Sequence, residues 1–122
     1  VQIDLGQSTI IEEIVLVGTH VKYGGHSGPG FGFPPRFRVD VSDHADFSKL
    51  SCVADHTQAD LPNPGDRPLV IEVPEGTKGR YIRVTATKLW KRTNDYIFVL
   101  SELLAFAGGK NLAQGAKVMS LD

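Results

Sequence analysis

Four side chains between residues 90 and 96 have the chemistry of a sugar-binding surface: Trp90, Arg92, Asn94 and Tyr96. An aromatic ring covers the apolar C–H face of a sugar, and planar polar groups pair with its hydroxyls, as ligand sites combine apolar walls with a few polar anchors. This segment lies between two predicted strands, so we expect it at one end of a sheet. The alternative is that Trp90 and Tyr96 cap the core while Arg92 and Asp95 pair locally.

A second candidate lies in the glycine-rich segment 20–34, which contains Tyr23, His26, Phe31 and Phe33. Segments of this length in compact domains are usually functional or disordered. The two phenylalanines argue against disorder of its second half, because both can bury against the end of a β structure. The alternative reading is purely structural: the glycines permit tight turns and the phenylalanines plug the fold.

The remaining polar residues give weaker signals. The four histidines lack the close pairing of a zinc site. Glu12 and Glu13 are adjacent, so in a strand they face opposite ways and cannot cooperate in acid–base catalysis. Neither a nucleophile elbow nor a phosphate-cradling loop is present, and we predict that the domain is not an enzyme. Numerous aspartates leave a structural calcium ion open, with no recognised loop spacing: Asp40, Asp43, Asp46, Asp55, Asp60, Asp66.

Length and charge narrow the class of protein. The 122 residues, 41% of them hydrophobic, are enough to form one hydrophobic core without disulfides or bound metals. The net charge is −1. No basic stripe is available for phosphates, so we expect no nucleic-acid partner. No apolar run is long enough for a membrane span. The single cysteine, Cys52, excludes an intrachain disulfide and is predicted to be a buried strand residue.

Alternating apolar residues predict an all-β chain. Strands are expected at 1–5, 10–19, 35–42, 50–56, 68–73, 80–89 and 96–107. In 35–42, for example, Phe37, Val39 and Val41 face one way, as antiparallel sheets with one dry face require. Segment 44–49 is the best candidate for a short helical turn, with Phe47 tucked beneath it. We therefore predict an antiparallel β-sandwich.

Three segments in order resemble one known family. They are residues 1–7 (Val-Gln-Ile-Asp-Leu-Gly-Gln), 79–85 (Gly-Arg-Tyr-Ile-Arg-Val-Thr) and 101–106 (Ser-Glu-Leu-Leu-Ala-Phe). Together they resemble the discoidin or coagulation factor V/VIII C-type domain family, which is galactose-binding-like and includes family-32 carbohydrate-binding modules. Segments 29–39, 53–57 and 87–96 look similar to modules attached to secreted bacterial polysaccharide-degrading enzymes. The resemblance covers residues 1–107 and implies a discoidin-like jelly roll.

The family's usual upstream stretch is absent, so the resemblance implies a sandwich lacking its N-terminal element and part of the calcium site. The tail 108–122 contains Asn-Leu-Ala-Gln-Gly-Ala-Lys-Val, which resembles the opening of such a domain. Two readings stay open: it starts a following repeat, which we favour, or it folds back as a strand. The chain opens in mid-strand without a methionine, which favours a fragment of a longer protein.

The resemblance implies a non-catalytic accessory module that binds carbohydrate weakly through end loops, beside the catalytic domain of its parent chain. It gives Tyr23 and His26 the parts of an aromatic residue and a histidine that recur in sugar pockets. It also implies a secreted, periplasmic or cell-surface location. The rival is a structural spacer or protein-interaction domain without a small-molecule ligand. A third reading is binding of anionic lipid, which Lys88, Trp90, Lys91 and Arg92 faintly permit.

Overall fold

A computed structural model describes the backbone of residues 1–23, 26–91 and 94–119, and the side chains of the same residues except 20–23 and 26–27. Within these ranges the chain is all-β, with no helix. The strands, in chain order, are β1 (Gln2–Ile10), β2 (Glu13–Val17), β3 (Thr19–Tyr23), β4 (His26–Phe31), β5 (Arg36–Ser42), β6 (Ser51–His56), β7 (Leu69–Glu72), β8 (Lys78–Lys88), β9 (Trp90–Lys91), β10 (Tyr96–Ile97), β11 (Glu102–Ala107), β12 (Lys110–Asn111) and β13 (Lys117–Met119).

Two larger sheets make up the body of the molecule. One has the order β13-β1-β8-β5-β6 and the other β12-β11-β2-β7, with antiparallel pairing throughout. Both contribute to one hydrophobic cluster, in which Phe37 and Ile82 of the first sheet join Ile14 and Leu16 of the second. The arrangement is therefore sandwich-like, with a single core between two sheets.

The apolar alternation predicted for β5 and β8 is confirmed. Val39 pairs with Val84 and Val41 with Ile82, and all four are buried. Directly opposite residues share a face of an antiparallel sheet, so these pairs build a continuous dry layer. Gly79 belongs to the same packing, because a Cβ there would lie 2.3 Å from Val41 Cγ1.

Segment 20–34, expected to be irregular, is largely a hairpin. β3 and β4 form their own two-stranded sheet, in which His20 pairs with Pro29 and Val21 with Gly28. Proline and glycine are rare in strands, so the sequence did not indicate one here. A two-stranded ribbon tolerates both, because each strand has one edge that makes no hydrogen bonds to a neighbouring strand. The predicted strands 10–19 and 96–107 are also each interrupted, the former between β1 and β2.

The tail lies against the body as two short strands. β12 pairs with β11, and β13 pairs with β1 through Ile3 opposite Val118. Between them, Leu112 and Ala116 pack against the core. The tail therefore provides the edge strand of the five-stranded sheet.

Two local predictions are wrong, one for Cys52 and one for segment 44–49. Cys52 is exposed rather than buried, because β6 is an edge strand and Cys52 stands opposite Asp40, on the side away from the core. Partial burial, and then the negative charge of Asp40, raise the pKa of its thiol. The segment expected to turn helically, 44–49, forms a non-helical turn, although Phe47 is buried beneath it as expected.

The body has two ends, which we name by a residue at each. At the Lys78 end, β8 begins, β5 finishes at Ser42, and the Ile11 N–H donates to the Thr77 carbonyl at 3.0 Å. At the Trp90 end, β8 finishes, and the β3–β4 hairpin, segment 57–68 and the β9–β10 hairpin all emerge.

Candidate functional site

The β9–β10 hairpin carries three of the predicted ligand-binding residues within the described chain: Trp90, Asn94 and Tyr96. Tyr96 pairs with Lys91, and Ile97 with Trp90. Because opposite residues share a face and neighbours alternate, Trp90 lies on one face of the hairpin and Tyr96 on the other. The two rings therefore do not form one continuous aromatic wall, which the sequence alone left open.

Trp90 faces the body of the protein. Its ring lies against Phe31 of β4, with centroids 4.8 Å apart and planes tilted by 59°. This tilted geometry is favourable for aromatic pairs. Trp90 is half-buried as a result, so it anchors the β9–β10 hairpin to the β3–β4 hairpin and presents only part of its surface to solvent.

Tyr96 faces solvent. It is 60% exposed, and Lys91 on the same face and Asn94 in the intervening turn are exposed too. A phenol ring held on a short hairpin offers a stacking surface with little conformational freedom to lose, and the neighbouring amide and ammonium groups can donate hydrogen bonds. Arg92, predicted to take part, lies outside the described residues.

Tyr23 and His26 close the β3–β4 hairpin, where their backbones pair. Their side chains are outside the described part of the chain, so the prediction for them stays a prediction. A strand advances about 3.3 Å per residue, which places the His26 backbone up to about 16 Å along β4 from Phe31. The hairpin tip is therefore a separate region from the Trp90–Phe31 contact.

Backbone and amide hydrogen bonds connect the segments at the Trp90 end. Asn63 donates from Nδ2 to the Gly30 carbonyl at 2.9 Å and accepts the Gly65 N–H at 2.8 Å. The Val99 N–H donates to the Gly32 carbonyl at 2.9 Å. These contacts join β4, segment 57–68 and the chain after β10 into one unit, so the exposed Tyr96 ring has a firm support.

Three charged side chains at the Trp90 end form one ion-paired cluster. Asp60 accepts from Arg36 Nε at 2.8 Å and from Lys88 Nζ at 2.8 Å and 3.1 Å. The Lys88 ammonium, followed by the Arg36 guanidinium, lowers the pKa of the Asp60 carboxyl. Lys88, which the sequence grouped with Lys91 and Arg92 as a small basic cluster, is thus already engaged.

Two clefts lie at the Lys78 end, and sequence reasoning missed both. One, of about 240 Å³, is lined by Ser42, His44, Lys49 and Lys78 among others. The other, of about 290 Å³, lies between the irregular part of β1 and the tail, and its polar lining consists of Gln7, Thr9, Lys110, Asn111 and Gln114. Lys78 joins residues 41–51 in the first cleft, and residues 5–9 meet residues 110–114 in the second, so each cleft depends on a contact between distant parts of the chain.

Two further properties of the described chain bear on function. No group of three or more histidine, cysteine, aspartate or glutamate side chains is arranged there to hold a metal ion. Nor does the same part of the chain contain a helix of the length and apolarity needed to cross a bilayer.

Comparison with known proteins gives no match: no family model, no curated protein and no solved structure resembles this chain closely enough to be recognised. Its function is therefore argued from its own residues and their geometry.

Proposed function

We propose that this chain is a discoidin-like jelly-roll sandwich that serves as a non-catalytic accessory module and binds carbohydrate weakly through the Trp90 end. In this proposal it belongs to a larger secreted polysaccharide-degrading protein. The resemblance of residues 1–107 supports the family, and the sandwich-like packing of two antiparallel sheets on one core is compatible with it.

The observation that carries the proposal is the 60% exposed ring of Tyr96 on a supported hairpin. A ring exposed in this way is available to stack against a ligand. A sugar can lie on this ring with its C–H face, while the Asn94 amide and the Lys91 ammonium reach its hydroxyls. Trp90 then acts mainly as the anchor that fixes the hairpin, through Phe31.

Weak binding follows from this geometry. Tyr96 is a single exposed ring on a short two-stranded hairpin, so one stacking contact covers only part of a sugar. One ring with a few polar neighbours leaves most hydroxyls of the sugar hydrated. Attachment to a catalytic domain compensates, because a tethered weak binder raises the effective concentration of the catalyst on a polymer.

A structural spacer is the second candidate function, and one observation favours it. A spacer has no need of an aromatic platform, and Trp90, the obvious candidate for one, is half-buried against Phe31. The two functions therefore differ in what they require of Tyr96: a carbohydrate-binding module depends on its ring, whereas a spacer does not.

The test is affinity electrophoresis in gels containing polysaccharides chosen by a glycan array, with Tyr96→Ala, Tyr96→Phe and Trp90→Ala variants. We expect Tyr96→Ala to weaken binding about tenfold, the equivalent of one stacking contact, with no loss of stability. Tyr96→Phe keeps the ring and should bind almost normally. Trp90→Ala should weaken binding and also lower the melting temperature, because it releases the hairpin.

Leu89→Ala is the matched control, since Leu89 is an exposed apolar residue of the same region, 39% accessible. It should leave binding unchanged. Equal binding by wild type and Tyr96→Ala, or no retention of wild type by any polysaccharide on the array, would establish the spacer instead.

A further inference from the structure

The smaller cleft at the Lys78 end lies between the β5–β6 connection and the first residue of β8. Lys49 comes from the connection and Lys78 from β8, with His44, Ser42 and Ser51 also lining it. Lysines 29 positions apart in sequence thus share one concave surface. Two ammonium groups beside the exposed Ser51 hydroxyl have the chemistry that oxyanions require.

Both lysines are free to act on a ligand. Among the described residues, Arg36, Arg38, Arg80 and Lys88 are each paired with an aspartate. The side chains of Lys49 and Lys78, by contrast, form no ion pair or hydrogen bond within that part of the structure. An oxyanion bound between them would not have to displace an internal carboxylate.

The connection that carries Lys49 is held in a fixed shape. The Ser42 hydroxyl accepts the His44 N–H at 2.9 Å and donates to the Lys49 carbonyl, so it fastens both ends of the turn. Phe47, buried at a φ of 54°, packs under the turn with the Arg83 guanidinium 4.0 Å from its ring centroid. A non-glycine residue holds this conformation only when its surroundings impose it, which indicates a preorganised turn.

One carboxylate, Asp43, also lines the cleft. It is exposed and pairs with neither lysine, since no ion pair joins them among the described side chains. Two ammonium groups against one carboxylate leave a local positive excess on a chain whose net charge is −1. Asp43 therefore weakens an anion site without abolishing it, and its removal should strengthen binding.

We propose that this cleft binds an oxyanion, and that the natural ligand is the carboxylate or sulfate group of an acidic polysaccharide. The oxyanion site is inferred from the geometry of the cleft, whereas the identification of the ligand as a polysaccharide rests on the proposed function. Two lysines in one cleft suit a single anionic group on a polymer. Nucleic acid, which presents a charge at every residue, calls for a longer basic stripe.

The oxyanion site is tested first, with inorganic sulfate titrated against the backbone amide NMR signals at constant ionic strength in chloride. We expect saturable shifts confined to residues 42–51 and to Lys78. The double variant Lys49→Gln/Lys78→Gln should lose the affinity at least about tenfold, whereas Asp43→Asn should gain about threefold. These residues are exposed, so the variants should fold.

Lys110→Gln/Lys117→Gln is the matched control. It removes the same charge from the tail, and β13 lies three strands away from β5 in the sheet. This control should bind sulfate as wild type does. Identical shifts in wild type and Lys49→Gln/Lys78→Gln, or equal weakening by the control, would overturn the oxyanion site.

The source of the oxyanion is tested with polygalacturonate, a sulfated galactan and neutral galactan in affinity gels. We expect stronger retention by whichever acidic polymer supplies the natural group, and loss of that preference in Lys49→Gln/Lys78→Gln. Equal retention by all three polymers would overturn the inference about acidic polysaccharide. Tyr96→Ala reports separately on the proposed function, because it changes the contact at the Trp90 end and leaves the cleft untouched.

Discussion

Two pairs of basic residues, one at each end of this molecule, differ in whether a carboxylate neutralises them. At the Trp90 end, charges and amides face one another: Asp60 holds Arg36 and Lys88, and Asn63 ties Gly30 to Gly65. At the Lys78 end, Asp4 holds Arg80, but Lys49 and Lys78 line a cleft and pair with no described carboxylate.

The difference follows from the length of chain that each end must order. Ordering a long segment costs conformational entropy, and the Trp90 end offsets it with hydrogen bonds, ion pairs and the Trp90–Phe31 contact. The turn between β5 and β6 needs only the Ser42 hydroxyl and Phe47 to fix it. Its lysines are left for solvent or a ligand.

The largest effect should come from replacing glycines at the two ends. A Cβ on Gly32 would lie 2.8 Å from Val99 Cβ at a φ of 77°, whereas Gly76 has a φ of 84° with open space around it. Gly32→Ala adds overpacking to backbone strain and should cost about 3 kcal/mol, against about 1 kcal/mol for Gly76→Ala. Urea unfolding of both variants measures the difference. Equal losses would mean that the Trp90 end is no more tightly packed than the other.

A smaller effect concerns acid stability near the Lys78 end, where Asp4 accepts from Arg80 Nε at 2.7 Å and Nη2 at 2.9 Å. The Arg80 side chain, then the Gly6 N–H, lower the pKa of Asp4 from 3.8 to about 2. A lowered carboxyl pKa stabilises the fold above pH 3.8, and this contribution is lost as the pH falls through 2. Since Arg80 is 41% exposed, we expect about 1 kcal/mol.

Urea unfolding at pH 4.5 and pH 2.5 tests this, with Asp4→Asn as the reference. Wild type should lose more stability than Asp4→Asn between the two values. Parallel losses would show that the Asp4–Arg80 pair contributes nothing to acid sensitivity.

The smallest expected effect is a new, weak response to sulfate at the Trp90 end when its shared carboxylate is removed. Asp60→Asn leaves Arg36 and Lys88 without their shared carboxylate, so the Trp90 end should acquire its own weak sulfate response. Amide shifts near Arg36 and Lys88 should then appear in the sulfate titration, in addition to those at residues 42–51. If only the original shifts appear, unpaired cations do not by themselves make an oxyanion site, and the shape of the cleft decides.

Much of the fold could be predicted because burial in a sheet has a period of two. Phe37, Val39 and Val41 identified an inner face without any structure, and every longer strand except β3 and β4 was anticipated. β3 and β4 were not predicted because β4 contains proline and glycine, which are rare in strands. The two strands are hydrogen-bonded to each other in a separate two-stranded sheet. The prediction for Cys52 was wrong because it rested on the general tendency of cysteine to be buried. Its exposure depends instead on the position of β6 at the edge of the sheet.

The candidate site was predictable only as a list of chemically suitable residues. Trp90 and Tyr96 were both identified, but their opposite faces depend on the register of the β9–β10 hairpin. A shift of one residue in that pairing would place both rings on the same face of the hairpin. The Lys49–Lys78 cleft was not predicted, because Lys78 reaches the 41–51 segment only through the pairing of β5 with β8.

That the chain is all-β, with a dry face on its central strands, could be predicted from the local alternation of residue types alone. Tertiary structure decided which aromatic ring anchors and which is exposed, which lysines stay unpaired, and that the tail packs as an edge strand. These features depend on contacts between residues far apart in the chain, and no local pattern encodes such contacts.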